Sequence, residues 1–507
     1  AALPEGIPTL AGALSSRGYS TAAVVGSRVL DRRFGLDHGF DHYDDAMLAE
    51  RIGEYGYPER SADAVTDAAI AWLGERAQGE PFFLWVHYYD PHAPYEPPPE
   101  LAGSSERSRY LGEVAFVDRQ VGRLLVAARE QAPALLVAAV GDHGEALGEH
   151  GERGHGIFLY RATIEVPMIL AGPGVPQGRV VDEPVAIRRL AATLLELLGH
   201  DGGLPGPPLP GVSTERSSPP LPVWSEATMP AEVYGWAPLA AVTDGRWRFI
   251  AAPRPELYDL AKDPGELANR ADVQPDQAAR LRAVLEGLAS RPPAAAAAPP
   301  QLDSQTRAAL LALGYLEAAP GSAGDAIDPK DGIALLPDFE RAKALLSEGK
   351  AADATAILDG LVARNPSNVP FLSRLAEAQL AAGDGEAALA TMDRALALRQ
   401  RSEFLELARA DALRRLGRSD EARRAFRSVL EIDPRHAAAW LGLAGLTASP
   451  QEELAVLTEA IAAGTDSVVV LLEAARLESA AGRTDQARAL LEGAATLVPG
   501  AAVVWLE

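Results

Sequence analysis

Four short apolar runs punctuate the first two hundred residues, at 22–25, 82–86, 135–140 and 168–171, each bounded by Gly, Pro or charged residues. Runs this short and continuous read as strands buried on both faces. Between them, apolar residues recur at helical spacing, in one helix opening near Ser61 and running past Trp72 and in another over about 111–128. Continuous strands alternating with amphipathic helices predict an α/β domain whose sheet is covered on both faces.

The pattern changes in the C-terminal third. Gly349, Gly383 and Gly417 stand 34 residues apart, and Gly482 follows after 65, close to two further periods with a small deletion. Five residues after each glycine is an alanine (Ala354, Ala388, Ala422, Ala487), and seventeen after three of them a proline (Pro366, Pro434, Pro499). Each unit reads as a helix, a Gly turn, a second helix and a Pro stop, with small residues where two helices approach closely. Residues 335–507 therefore resemble tetratricopeptide repeats, an all-α solenoid. The unit near Trp440 is the weakest, with Ser449-Pro450 where the glycine is expected. Upstream, Arg291-Pro-Pro, five alanines, Pro299-Pro300 and Pro320-Gly-Ser-Ala-Gly read as linker, so the predicted domains are 1–290, a linker with tail at 291–334, and 335–507.

Composition narrows the function. A length of 507 residues suggests about three domains, but the patterning supports two. With 47 Lys+Arg against 70 Asp+Glu, the net charge of −23 opposes nucleic acid and anionic lipid as general partners. No apolar run reaches the roughly 18 residues of a membrane-spanning helix. Four lysines occur (Lys262, Lys330, Lys343, Lys350), so an anion site in the first 261 residues must use Arg, His, backbone N–H groups or a metal. Cysteine is absent, which removes disulfides, thiolate metal sites and cysteine nucleophiles from these residues.

Five of the nine histidines (His87, His92, His143, His150, His155) fall between residues 87 and 155. The run at 135–140, read as a buried strand, ends in Gly141-Asp142-His143-Gly144, and the run at 82–86 leads to Asp90-Pro91-His92. Sites in α/β sheets lie beyond the carboxyl ends of strands, which predicts His92 and His143 at one rim. Asp142 and His143 read either as ligands of a divalent cation or as a capping Asp beside a solvent-facing His.

These segments carry a resemblance. Pro81-Phe-Phe-Leu-Trp-Val-His-Tyr-Tyr-Asp-Pro-His-Ala-Pro-Tyr95, Gly141-Asp-His-Gly-Glu-Ala-Leu-Gly-Glu-His-Gly151, His155-Gly156 and Val166-Pro-Met-Ile-Leu-Ala-Gly-Pro-Gly174 are similar to successive blocks of the sulfatase family, within the alkaline phosphatase superfamily. Lesser blocks keep the family's order: Gly18-Tyr19 and Gly39-Phe40-Asp41 before these, Tyr110 through Asp118 between them, and Glu256-Leu-Tyr-Asp259 and Leu313-Gly-Tyr315 after them. The resemblance implies an α/β sulfatase-like (alkaline phosphatase-like) domain that hydrolyses sulfuric esters with a divalent metal, calcium in first place, with manganese, magnesium or zinc as alternatives. It assigns Asp142 and His143 to the metal, His92 to the ester oxygens and His155 to the anion or the departing oxygen. His87 reads as packed, His150 as a surface or supporting residue, and His38 and His42 as structural.

The sequence also departs from the family. Family members open with paired acidic ligands and a nucleophile, formylglycine or a hydroxyl residue, and residues 1–14 match a segment reached only after about a hundred residues. The α/β domain is therefore expected to lack its first segment, and with it half the metal site and the nucleophile, so that these 507 residues turn over little substrate. Gly26-Ser27-Arg28-Val29 stands where many relatives carry a Lys-Trp-His anion grip, which leaves His92, His155 and Arg153 as the charged candidates. A phosphate or phosphonate ester, or phosphoryl transfer, is the alternative chemistry. A degenerate scaffold that works through its repeats is the alternative of another class. The repeats imply a protein or peptide partner in their groove. Family members are often exported, which implies periplasmic or cell-surface residence.

Overall fold

A computed structural model describes residues 3–4, 6–47, 59–77, 79–200, 203–212, 221–290, 326–398, 402–465 and 467–497. They form two compact units. One comprises residues Ala1–Pro230 and Pro238–Pro300, and the other Ala231–Ala237 and Gln301–Glu507.

In the first unit, helix α1 (Leu10–Ser15) precedes strand β1 (Ser20–Val25), which pairs in parallel with β2 (His42–Asp44) on one side and β3 (Phe82–His87) on the other. Its residues Ala22, Ala23, Val24 and Val25 are fully buried. Ala23 and Val25 face Tyr43, Phe40 and Trp85, whereas Val24 faces Val65 and Ala69 of helix α2 (Ala62–Glu75) together with Leu84 and Val86. Apolar residues on both faces are what a covered strand requires, so β1 reads as a continuous run instead of an alternation.

Strand β4 (Val137–Val140) differs from the sequence expectation. It pairs antiparallel with the strand Met168–Ala171 in a separate two-stranded sheet. It is not a buried strand. Ala138, Ala139 and Val140 are exposed, Val140 to 39% and its neighbour Ile169 to 61%. The physical reason is that β4 pairs along one edge only, and its consecutive exposed residues point to opposite faces, so neither face is fully covered among the described residues.

A short hairpin, β5 (Ala146–Leu147) and β6 (Arg153–Gly154), follows β4. With Met168–Ala171 as β7, the strands β8 (Val223–Ala227), β9 (Leu239–Asp244), β10 (Trp247–Ala251) and β11 (Glu256–Asp259) form an antiparallel sheet in the order β11-β10-β9-β8. Helix Pro275–Ala289 covers it, with Leu281 and Leu285 packed on Val242, Phe249 and Leu257.

In the second unit, five helix pairs follow one another: Leu336–Ser347 with Ala351–Arg364, Val369–Ala381 with Gly385–Leu398, Glu403–Arg415 with Ser419–Ile432, Ala437–Ala444 with Pro450–Ala462, and Val468–Ala480 with Thr484–Leu497. Gly349, Gly383, Gly417 and Gly482 all turn with positive φ, which glycine adopts without a Cβ clash. The fourth pair solves the turn another way. Its first helix has eight residues, Ser449 accepts a hydrogen bond from the Glu452 N–H, and Pro450 opens the second helix. Gly442 packs directly on the Phe426 ring, so any side chain there would collide with it.

Candidate functional site

Two loops carry the site. The first leaves β3 and is tied at both ends. Buried Asp90 accepts a hydrogen bond from the Ala62 N–H at 2.7 Å, where α2 begins. Glu113, fully buried on helix α3 (Glu106–Gln131), accepts from the backbone N–H groups of His92 (3.0 Å) and Glu96 (2.7 Å). One carboxylate thus holds both ends of the turn that presents His92.

The second loop leaves β4 as Gly141-Asp142-His143-Gly144. The Gly144 N–H donates to the Thr163 carbonyl at 2.8 Å, and a Cβ at residue 144 would overlap the Ala162 carbonyl, so only glycine lets the loop lie this close. The β5–β6 register, Ala146 opposite Gly154, makes Glu145 and His155 the next facing pair. His155 Nδ1 lies 3.3 Å from Glu145 Oε1, and that carboxylate is 6% exposed.

Three imidazoles meet here. The His143 and His155 rings are 3.8 Å apart between centroids, and those of His92 and His155 are 5.5 Å apart. Each ring is oriented by a different partner. His92 Nδ1 donates to the Ala93 carbonyl at 2.7 Å, its Nε2 lies 3.2 Å from the Tyr89 hydroxyl, and its ring stacks on Tyr89 at 4.2 Å. His143 Nδ1 donates to the Gly144 carbonyl at 3.0 Å, which leaves Nε2 as the free lone pair. His155 donates through Nδ1 to Glu145.

The electrostatics separate the rings. Burial pushes His92 below the usual histidine range, and the neighbouring His155 and His143 add to that. Burial also opposes a charge on His155, but the hydrogen bond and negative charge of Glu145 outweigh it, and the net direction is upward. The proton affinity of one ring is lowered and that of its neighbour raised, an arrangement that suits acid–base work. Burial also pushes Glu152 up to about 7, although its carboxylate accepts the Ile157 and Phe158 N–H groups.

Glu152 gives a stability prediction. A carboxyl whose folded-state value lies above its unfolded one near 4.5 is penalised when it ionises, so stability is greatest below the unfolded value and falls as pH rises through 7. Glu152→Gln is expected to match wild type near pH 4 and to exceed it at pH 8. Urea unfolding at the two pH values measures this, and equal differences at both would contradict it.

Asp142 is 80% exposed, with Oδ1 accepting its neighbour's N–H at 2.9 Å and Oδ2 lying 3.7 Å from His143 Nε2. Among the described residues, no group of three His, Cys, Asp or Glu side chains could hold a metal ion. A divalent cation takes about four or more ligands. The described donors supply two, so they do not compose a complete cation site.

The remaining candidates lie elsewhere. Arg153 is 73% exposed and paired with Glu106 at 2.6 Å. His87 lies in β3 with its ring 6.4 Å from Trp85 and a buried Nδ1 that has no partner among the described residues. His150, at φ 52, stacks on Tyr160 at 3.7 Å and reaches the Gly265 carbonyl. His42 is exposed on β2, and the His38 carbonyl accepts from Thr9. Glu145, Glu113 and Tyr89 are the site residues that sequence reasoning missed. The signal for Glu145 was its place on the same glycine-flanked turn as Asp142 and His143.

Comparison with known proteins places different families along the chain. The Sulfatase family model matches residues 1–200, and two tetratricopeptide repeat models match residues 345–410 and 403–446. An arylsulfatase of Clostridium perfringens is 25% identical over 268 residues, covering 42% of this chain and 55% of that protein. A sulfatase of Formosa agariphila is 32% identical over 167 residues, 32% of each chain. Arylsulfatase K of Danio rerio is 28% identical over 201 residues, 37% of this chain and 38% of that protein. The chain thus spans between about a third and about half the length of these relatives.

Proposed function

We propose, on the premise that this chain carries a sulfatase-family domain over residues 1–200 followed by tetratricopeptide repeats, that its imidazole cluster receives the oxyanion of a sulfuric ester. The observation that carries the reading is the convergence of His92, His143 and His155, with Glu145 behind His155.

Each residue then has a role its contacts allow. Protonated His155, anchored through Nδ1, offers its Nε2–H to the oxygen that leaves, and Glu145 keeps the proton available. Burial disfavours a charge on His92 while the site is free, and its Nε2 is turned to the Tyr89 hydroxyl. An arriving oxyanion raises the ring's affinity for a proton, so His92 becomes a donor to a non-bridging oxygen only when ligand is present. Asp142 and the His143 Nε2 lone pair are donors of the kind a divalent cation takes, and the family generally uses one.

No serine or threonine among the described residues hydrogen-bonds any of the three rings, and the 507 residues contain no cysteine from which formylglycine could be made. The roles assigned are therefore binding and proton transfer, with the nucleophile unassigned and turnover expected to be low. A phosphate ester is the second reading, favoured by the absence of lysine from the first 261 residues. The repeats would supply a groove for a protein or peptide.

The test is hydrolysis of an aryl sulfate and an aryl phosphate by the full chain, with added calcium or manganese and with chelator. Slow cleavage of the sulfate, lost with chelator and in Asp142→Ala, supports the reading. Faster cleavage of the phosphate selects the second. Cleavage of the sulfate that survives both His155→Ala and chelation would contradict it.

A further inference from the structure

The connection between β8 and β9 leaves its own sheet. These strands are adjacent and antiparallel, yet residues 231–237 between them pack in the same compact unit as the repeats. Pro230 and Pro238 bracket the segment.

Its packing is specific. Trp236 is 1% exposed and heads the fully buried side chains among the described residues. Its ring lies against Gly332, where an added Cβ would come within 2.5 Å of the indole, so that position must stay bare. Tyr234 stacks on Trp236 at 4.7 Å and meets Phe339 edge-on at 6.4 Å, and Phe339 in turn contacts Phe371 at 5.1 Å. Buried Asn368 donates from its side-chain amide to the Tyr234 carbonyl while its Oδ1 caps the helix at the Phe371 N–H. Between the two aromatics, Gly235 turns at φ 66 with Asn368 and Pro370 3.2 Å from where a Cβ would stand. The Ala237 N–H donates to the Ile327 carbonyl at 2.9 Å.

We propose that the first helices of the repeat array form a socket for a glycine-spaced aromatic segment, and that residues 231–237 are its resident occupant. The groups that form it lie at and just before the start of the repeats, and each has a partner in the segment: Gly332 for the indole, Phe339 for the Tyr234 ring, Asn368 for the Tyr234 backbone. The spacing of the two aromatics is fixed because only glycine fits between them. The fit is also releasable. The Trp236 indole N–H is buried without an acceptor among the described residues, which withholds part of the stabilisation a buried tryptophan usually gives. A segment bound this way behaves as a ligand tethered to its site, so the same sequence supplied separately binds when the resident anchor is removed.

The full chain carrying Trp236→Ala tests this, with Trp236→Phe as a milder partner should the first variant fail to fold. Loss of a buried indole is expected to lower the melting temperature of the helical unit by roughly 10 °C in the alanine variant and by less in the phenylalanine variant. A synthetic peptide of residues 229–240, in excess, is expected to raise the melting temperature of either variant, and the same peptide with alanine in place of the tryptophan to leave it unmoved. An unchanged melt in Trp236→Ala, or equal effects of the two peptides on a folded variant, would overturn the proposal.

Discussion

Truncating Phe426 to alanine is expected to lower the stability of the repeat unit by roughly 3–5 kcal/mol, the range for removing a fully enclosed aromatic side chain. The ring is fully buried, surrounded by Leu389, Met392, Leu413, Val429 and Leu443, and the backbone of Gly442 lies directly against it. The bare Gly442 has no side chain that could turn into the space, so collapse around the cavity is limited and the cost falls toward the upper part of the range. Phe404 provides the internal comparison. It stands on the first helix of the third pair but is 54% exposed, so Phe404→Ala is expected to stay within about 0.5 kcal/mol of wild type. Urea unfolding followed by far-UV circular dichroism reads both. Equal midpoint shifts would show that the helix pairs do not pack as described.

The second large effect concerns Glu145. Its carboxylate is almost wholly buried and faces His155 across the β5–β6 hairpin, where its charge and hydrogen bond raise the proton affinity of that ring against the opposing effect of burial. Glutamine keeps the shape and an acceptor but removes the charge. With Glu145→Gln, the largest support for a charge on His155 is gone, burial is opposed only by the lesser contributions of Glu152 and Asp142, and His155 gives up its proton at lower pH than in wild type. Sulfate affinity at pH 7 to 7.5 is expected to fall about tenfold, roughly the 1.4 kcal/mol that one charge-assisted contact supplies. As pH falls and His155 regains its proton, the variant is expected to approach wild type. A loss of equal size at every pH would mean that Glu145 acts only by shaping the loop.

The parts of the fold legible from sequence were those whose burial is uniform. β1 and β3 stand out as apolar runs, and the 34-residue glycine phase marks the helix pairs. The strand after residue 134 was legible as a strand but not in its environment, because composition reports what a strand could bury and not whether anything covers it. The β8–β11 sheet was harder to see. Its strands mix Trp224, Glu226, Arg248 and Glu256 into apolar stretches, and Arg248 is buried only because Glu266 neutralises it at 2.6 Å. A charge satisfied by a distant residue breaks the local pattern that sequence reading relies on.

The candidate site divides in the same way. His92, Asp142, His143 and His155 were visible as residue types on glycine- and proline-flanked turns at strand ends. Glu145 was not, since its pairing with His155 depends on a hairpin of two residues per strand. Glu113 was not, since it reaches the His92 loop from a helix most of whose charged residues face solvent. The Tyr234-Gly235-Trp236 stretch reads locally as a turn, and its burial depends on aromatic residues more than a hundred positions further on.

The central claim is that His155, whose proton affinity Glu145 raises, is the proton-carrying member of an oxyanion-binding imidazole cluster. The measurement that addresses it most directly is calorimetric titration of the full chain with inorganic sulfate from pH 5 to 9, in wild type and in His155→Ala. Wild-type affinity is expected to be highest at low pH and to fall as pH rises through the elevated value of His155, and the alanine variant to bind at least tenfold more weakly at pH 6.5 with a flattened profile. Sulfate binding of equal strength in both proteins across that range would contradict the claim.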